Sequence, residues 1–435
     1  MNAVPFPSRR VVITGLGFIT PIGNDRATVT ASLRSGRHGL APVEFMGNPN
    51  LPVKLAGTVK NFDVDSTSWR NWTWPAEYEI PRETLRGMGP HGVYAVCAVT
   101  QALRDAGLSL DAVAGDETTG LFCASAGSAM LMHHNLAQLH AARGERGNPM
   151  GVVSSIAGSL NFNLAAHFHV TGAVCGFVSA CASASHALGY ASDEIRLGRL
   201  QRVIVVGAED LNAETLLPFM AMRALSGGSD PLLASRPFDA GRDGFVGAGG
   251  AAVLVLEEAG VAAARGARVQ AEFLGWGQAA DGHSVAMSHP GGAGLRRAMV
   301  RALAQAGVQP ADIEYVNAHA TSTTVGDRAE ALALRSVFTD AGAHPRISST
   351  KGLTGHPLSL AGAMEAAFCV LSLTEGFIPG NPHLVDADSA CEGLDLPRTT
   401  VEAAPRIVLN NSSGFGGSNV CHVFRTPQSP APVEA

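Results

Sequence analysis

Four short segments of this chain gather residue types that can do covalent chemistry. The first is VSACASASHALG at 178–189, where Cys181 stands among small residues as an apolar run gives way to a helix expected over 182–198. A cysteine there lies at the positive end of the helix dipole, which favours thiolate over thiol, and small neighbours let a carbonyl carbon reach the sulfur. The structural alternative is a small core residue, the ordinary place of a cysteine. In the second segment, NAHATSTTVGD at 317–327, His319 ends a strand and is followed by hydroxyl residues, a Gly turn and Asp327, with Glu330 in the next helix. The third, SSTKGLTGH at 348–356, sets Lys351 five residues before His356 in a loop punctuated by glycine. The fourth, SSGFGGSN at 412–419, encloses Phe415 in glycines between two strands. Such a turn is either a gate whose backbone N–H groups can face an oxyanion, or a tight hairpin with a packed aromatic.

Lys351 stands out by composition. Only Lys54, Lys60 and Lys351 are lysines among 31 basic residues, so arginine is the surface cation of this chain. A lysine in a small, uncharged loop supplies a compact point charge that a planar guanidinium does not replace; chance placement is the alternative.

Several elements must position these segments. Residues 10–19 and 202–210 read as buried strands, and 251–257 with 268–276, like 405–411 with 419–425, as strands of meanders. Amphipathic helices are expected over 90–106 and 295–306. Their ends echo each other at an offset of 200 residues: ALRDAGL at 102–108 and ALAQAGV at 302–308. Each copy closes on a glycine and is followed by a short acidic link and a strand, at 119–124 and 313–318, which suggests two related α/β halves.

Other patterns carry less. Gly15-Leu16-Gly17 lacks the third glycine of a dinucleotide fingerprint and an acidic partner at a second strand end. His133 with His134, and His167 with His169, lack a cysteine or carboxylate partner and read as surface or packing residues. Met130 and Met132 read as packing residues that could also line an acyl pocket. Ser8-Arg9-Arg10 ahead of the apolar run 11–22 imitates an export signal, but glycines and Pro21 interrupt the run and no cleavage site follows.

Of the 435 residues, 50 are Gly, 46% are hydrophobic and 16% are charged, with a formal charge of −6. That apolar content excludes intrinsic disorder, and the missing basic excess argues against nucleic acid. The low charge fraction suggests surface hidden in an oligomer. Seven scattered cysteines form neither a disulfide scaffold nor a zinc ribbon. No uninterrupted run of about 18 apolar residues marks a membrane span, so a cytoplasmic protein is expected.

Together the four segments, with VVITGLGFITPIGN near the start and SRPFDAGRDGFV at 235–246, resemble the β-ketoacyl-[acyl-carrier-protein] synthases of the thiolase-like superfamily. The resemblance spans essentially the whole chain, and the order Cys181, His319, His356 is similar to the decarboxylating Cys-His-His branch. It implies an α/β fold, the five-layered αβαβα sandwich of two similar halves, at 9–260 (with Cys181) and 261–426 (with both histidines). Flexible tails are expected at 1–8 and 427–435. It also implies an acyltransferase working by decarboxylative condensation with malonyl-carrier protein, in fatty acid or polyketide-like (including polyene) synthesis.

In that reading Cys181 carries the acyl chain, its N–H and that of Phe415 form the oxyanion hole, and His319 and His356 stabilise the enolate. Lys351 pairs with Glu365, Asp327 and Glu330 support the His319 loop, and Thr321 and Thr323 contact the phosphopantetheine arm. No metal or cofactor is implied beyond substrates held on phosphopantetheine. The partners implied are acyl carrier protein and a second copy of the chain, or a ketosynthase-like subunit in a heterodimer. The alternatives are a subunit needing a chain-length-factor partner and a non-elongating acyltransferase dependent on CoA or carrier protein. Ala320, Thr324, Ser359 and Leu360 depart from the family pattern, the last two replacing glycine and alanine, and point to a specialised substrate.

Overall fold

The computed structural model describes residues 9–43, 50–51 and 53–427; the tails expected at 1–8 and 427–435 lie outside these, Pro427 excepted. Apart from a two-stranded sheet of Leu40–Pro42 and Leu55–Gly57, its strands form one large sheet and are, in chain order, β1 (Val11–Ile19), β2 (Thr119–Ala124), β3 (Val174–Phe177), β4 (Arg202–Glu209) and β5 (Gly250–Glu258). They are followed by β6 (Ala271–Ala280), β7 (Tyr315–Asn317), β8 (Arg346–Ser348), β9 (Ile407–Gly414) and β10 (Ser418–Arg425). The helices that matter for the site are α1 (Pro90–Asp105), α2 (Ser183–Arg196), α3 (Ala293–Ala306), α4 (Thr324–Val337) and α5 (Ala361–Glu375).

The strands run in the order β8-β7-β9-β10-β6-β1-β5-β4-β2-β3. Read outward from the centre, both halves follow one plan. β1-β5-β4 is antiparallel and continues in parallel through β2 and β3; β6-β10-β9 is antiparallel and continues in parallel through β7 and β8. The halves join where Val11–Ile13 of β1 pairs with Ala271–Phe273 of β6. This is the duplication that the helix echo suggested.

Side-chain alternation builds the layers. Ile204 and Val206 of β4 face α1, whereas Val203 and Val205 face a core shared with α2 and α5. In the other half Val316 and Leu409 face α3 and α4, and Tyr315 and Val408 face α5. Helices α2 and α5 touch strands of both halves. The result is five layers, helix–sheet–helix–sheet–helix, and strands covered on both faces read as unbroken apolar runs.

The glycines of β1 have a packing role. A Cβ at Gly15 would lie 2.2 Å from the carbonyl oxygen of Ala102, and one at Gly17 1.9 Å from that of Ala98, both on α1. Gly277 of β6 meets Ala298 and Gly275 meets Ala306 on α3 in the same way. These glycines let a helix lie on the strand, which accounts for the partial dinucleotide pattern. One pairing differs from expectation: β5 and β6 are not neighbours, because β1 lies between them. The 12-residue link 259–270 contains a helix, Ala259–Ala264, and steps over a strand where a hairpin would need only about 2–5 residues. The 405–411 and 419–425 segments do form a hairpin, β9 with β10.

Helix α5, with the turn before it, is long and apolar enough to cross a membrane, but it is buried between the sheets.

Candidate active site

Cys181 sits just before α2, which begins at Ser183. Ala180 holds a left-handed backbone, φ +52°, costing roughly 1–2 kcal/mol for a residue with a Cβ. The same loop ties itself down through Ser179 N–H to Ser183 Oγ (2.8 Å) and Ser183 Oγ to the Ala180 carbonyl (2.6 Å). The strained step turns the chain from β3 into α2 and leaves the sulfur facing both histidines.

His356 Nε2 lies 3.0 Å from Cys181 Sγ. The imidazoles of His319 and His356 meet edge to face, centroids 5.3 Å apart, and Phe245 packs perpendicular to His356, also at 5.3 Å. Lys351 is buried, forms a short ion pair with Glu365 and places Nζ 3.4 Å from His319 Nδ1. An ammonium donates only, so Nδ1 accepts and the ring hydrogen of His319 sits on Nε2. Both histidine pKa values are held well below the ordinary 6.5, first by burial and then by the Lys351 charge. At neutral pH both rings are therefore neutral hydrogen-bond donors or acceptors.

The thiol differs from expectation. Burial pushes Cys181 up to about 12, with Lys351 pulling the other way and Glu209 and Glu365 adding to the rise. Desolvation outweighs the helix dipole, so the resting group is a thiol rather than a thiolate, and Nε2 of His356 is the neighbour placed to receive its proton.

The supporting carboxylates lie where the loop needs them. Glu330 accepts the N–H of His319 (2.9 Å) and of Ala320 (2.7 Å), and Asn411 Nδ2 reaches it at 3.1 Å. Asp327 accepts the N–H of Ser322 (3.1 Å) and Phe238 (2.9 Å), two residues with left-handed backbones, and faces Arg242 at 3.5 Å. Burial raises Asp327 to about 7 against the pull of Arg242, and it raises Glu330 too. Burial likewise raises Glu365, opposed by Lys351.

A cavity of about 480 Å³ opens onto Cys181 and both histidines and is lined also by Thr321, Thr323 and Phe415. The two threonine hydroxyls are 3.1 Å apart. Phe415 is half-exposed and tilts against Phe219, centroids 5.9 Å apart. A Cβ on Gly414 would lie 3.2 Å from the Cys181 nitrogen, so the backbone leading to Phe415 runs against that of the cysteine. The structure thus gathers all ten residues singled out from the sequence around one centre. Met130 and Met132 do not line the cavity, and His133 is exposed beside Glu214.

Among the described residues, Cys181, His319 and His356 are the one cluster of three or more metal-type side chains, donor atoms within 4.8 Å of one another. With the hydrogen on His319 Nε2, however, that ring offers the sulfur side no lone pair, and the ammonium of Lys351 stands behind it. The site is built to donate hydrogen bonds to an anion.

Sequence reasoning missed Phe219, Met222 and Phe245 on the cavity wall, and Glu209 behind it. Adjacent Glu209 and Asp210 at the end of an apolar strand, in a chain poor in charge, were the available signal for the last.

A duplicated sandwich with a buried Cys-His-His centre at the junction of its halves defines a thiolase-like condensing enzyme. Comparison with known proteins narrows the class. The family description "Beta-ketoacyl synthase, N-terminal domain" matches residues 8–262, and "Beta-ketoacyl synthase, C-terminal domain" matches 270–385. The chain is 40% identical to 3-oxoacyl-[acyl-carrier-protein] synthase 1 of Haemophilus influenzae over 424 residues, 96% of this chain and 99% of that one. A β-ketoacyl synthase from Burkholderia phymatum superposes with a TM-score of 0.88 at 32% identity, covering 97% of this chain and 100% of that one. The ishigamide ketosynthase/chain length factor does so at 0.85 and 32%, with the same coverage. The chain belongs to the β-ketoacyl synthase family.

Proposed function

We propose that the protein is a β-ketoacyl-[acyl-carrier-protein] synthase that lengthens an acyl chain by two carbons, with Cys181, His319 and His356 as its catalytic residues. One observation carries the reading: a buried sulfur 3.0 Å from one neutral imidazole, beside a second whose tautomer a buried lysine fixes. Transfer of the Cys181 proton towards His356 frees the sulfur to attack the acyl thioester. A C–S bond forms, and the carrier's thiol leaves with a proton. The oxyanion formed on the way is held by the N–H groups of Cys181 and Phe415. Malonyl-carrier protein then enters past Thr321 and Thr323, which contact its phosphopantetheine arm.

Its carboxylate leaves as CO2, and the electron pair of the broken C–C bond becomes an enolate. Hydrogen bonds from the Nε2–H of neutral His319 and from that of neutral His356, once its ring hydrogen has moved from Nδ1 to Nε2, stabilise that charge at its oxygen. The enolate carbon attacks the acyl-Cys181 carbonyl, the new C–C bond forms and the sulfur leaves. One proton is consumed per turn and returns the thiol. No metal or redox group enters these steps.

The remaining parts of the proposal concern setting. We place the protein in the cytoplasm, with carrier-bound acyl thioesters as substrates and the two halves dividing near residue 260. A homodimer is favoured by the bare edge strand β3, beside which Val178 is 70% exposed and Phe162 47%. Similarity to the ishigamide ketosynthase/chain length factor favours a second reading, a heterodimer with a ketosynthase-like subunit.

One sample tests these points. Incubated with acyl- and malonyl-carrier protein, the enzyme should show by mass spectrometry an acyl adduct at Cys181 and a product two carbons longer, and native mass should be that of two copies. An adduct surviving Cys181→Ala, or none at any chain length, defeats the chemistry. A monomer active only with an added subunit selects the heterodimer.

A further inference from the structure

Behind the catalytic pair lies a contact that the mechanism does not use. His356 is fixed at its own backbone, its N–H donating to Val246 (2.7 Å) and its carbonyl accepting from Ala248 (3.0 Å). The turn that follows is strained, because Leu358 has φ +50° and lines the cavity. Next comes Ser359, buried, whose hydroxyl donates a short hydrogen bond to Glu209 Oε1. That oxygen also accepts the N–H of Ala126 at 3.0 Å, while Oε2 is buried without a partner. One carboxyl at the end of β4 thus ties together the turn after His356 and the turn after β2. At position 359 the family pattern has glycine, which keeps only the backbone N–H that Ser359 also turns towards Glu209, so the hydroxyl tie to the His356 turn is a feature of this chain.

We propose that Ser359 and Glu209 are a positioning pair, holding the strained turn so that His356 stays against Cys181 and setting the negative charge that the thiol feels. The inference rests on the condensation reading for its kinetic part only. Leu358 gains by relaxing towards ordinary φ, opposed across the turn by the Leu360 N–H to Pro357 carbonyl bond (3.1 Å), and such relaxation would move the chain two residues from the imidazole. Glu209 bears on Cys181, raising its pKa. Burial holds Glu209 itself at about 8, with the Ser359 hydroxyl favouring the ionised form and Asp210 opposing it. Asp210 is the acidic neighbour just past the end of β4, tied to Ser128 (2.6 Å) and Thr215 (3.4 Å); the turns at 125–128 and 358–360 bring only hydroxyls and amides. On the far side of Cys181 stands the Lys351–Glu365 pair.

Three variants and two readouts test the pair. In Ser359→Gly the kcat for malonyl-carrier protein decarboxylation should fall about tenfold with KM unchanged, and Ser359→Thr, which keeps the hydroxyl, should stay within about twofold of the parent. The second readout, alkylation of Cys181 by iodoacetamide, needs no carrier protein and is independent of the condensation reading. At pH 9 Glu209→Gln should be alkylated about three- to tenfold faster than the parent, since a buried negative charge opposing the thiolate is gone. Equal kcat in Ser359→Gly and the parent, or a fall in Ser359→Thr as deep as in Ser359→Gly, overturns the positioning role. Unchanged alkylation in Glu209→Gln overturns the electrostatic one. If Ser359→Gly does not fold, the Ser359→Thr and Glu209→Gln measurements decide. Failure of the parent to acylate Cys181 at all would defeat the condensation reading while leaving the alkylation result standing.

Discussion

Lys351 does three things through one atom. Its ammonium neutralises Glu365, fixes the hydrogen of His319 on Nε2 and, by its charge, adds to the burial that keeps both imidazoles from protonating. Replacing it by methionine removes all three while roughly preserving volume. Lys351→Met should lower malonyl decarboxylation by roughly a hundredfold, whereas acylation of Cys181, which needs only His356 as proton acceptor, should fall less than about tenfold. Because the variant strands a buried carboxyl, it should also lose about 3–5 kcal/mol of stability. Adding Glu365→Gln should recover much of the stability and none of the decarboxylation. Stopped assays with carrier-bound substrates and denaturant melts separate the two. If the double variant regained activity as well, the lysine would be serving the ion pair and not the histidine. The four reactive segments were legible in the sequence because a rare lysine, a cysteine among small residues and two loop histidines are local patterns. The Glu209–Ser359 contact was not, since its partners are 150 residues apart: the acidic pair ending β4 and the serine after His356 each stand out alone, and only the fold brings them together.

Among elements, what the sequence showed follows from what each one touches. β1, β4 and β5 are covered on both faces and so appear as apolar runs; α3 lies on the outside and shows a polar stripe, whereas α1 is buried except in its last turns, around Thr100 to Asp105. Helix α5 was missed because it lies between two sheets, with buried residues all round and no period to read. β3 was read only as an apolar run without bounds ahead of Cys181, because its four residues, VCGF, are mostly exposed and too few to show an alternation. The glycines of β1 and β6 were visible but read as a weak nucleotide pattern, since only the packed helix shows what they make room for. That gives an element-scale prediction. Gly17→Ala and Gly277→Ala would each drive a Cβ into a helix backbone, at 1.9 and 2.3 Å from a carbonyl oxygen, and should each destabilise by about 1–3 kcal/mol or more. Gly227→Ala, with nothing within 4 Å, should stay within about 0.5 kcal/mol. Equal melting of all three would mean that the helices ride loosely on the strands.

Over the whole molecule, burying so many ionisable groups in a chain of low charge sets how stability varies with pH. Burial raises Glu209 to about 8 and Asp210 to about 6, from ordinary values of 4.5 and 3.8. The folded chain keeps these protons where the unfolded chain has lost them. Their contribution is therefore complete below about pH 4 and is lost as pH rises through 6 and then 8. Burial pushes His91 and His422 down to about 4, from 6.5. Here the unfolded chain binds the extra protons, so stability is gained as pH rises from about 4 to 6.5 and is constant beyond. Above pH 6.5 only the carboxyls still change, Asp327 and Glu365 raised to about 7 and Glu209 to about 8, so stability falls with pH from there. Between pH 6.5 and 8.5 the Tm should fall by about 2–4 °C, read by calorimetry. Glu209→Gln should flatten much of that fall. The chain also carries a formal charge of −6, so surface repulsion offers a rival cause, and salt separates the two. At about 0.5 M salt surface charges are screened within a few ångströms while a buried carboxyl is not, so a fall that survives salt and disappears in Glu209→Gln belongs to the interior. A fall that salt removes and Glu209→Gln leaves intact would assign it to the surface instead.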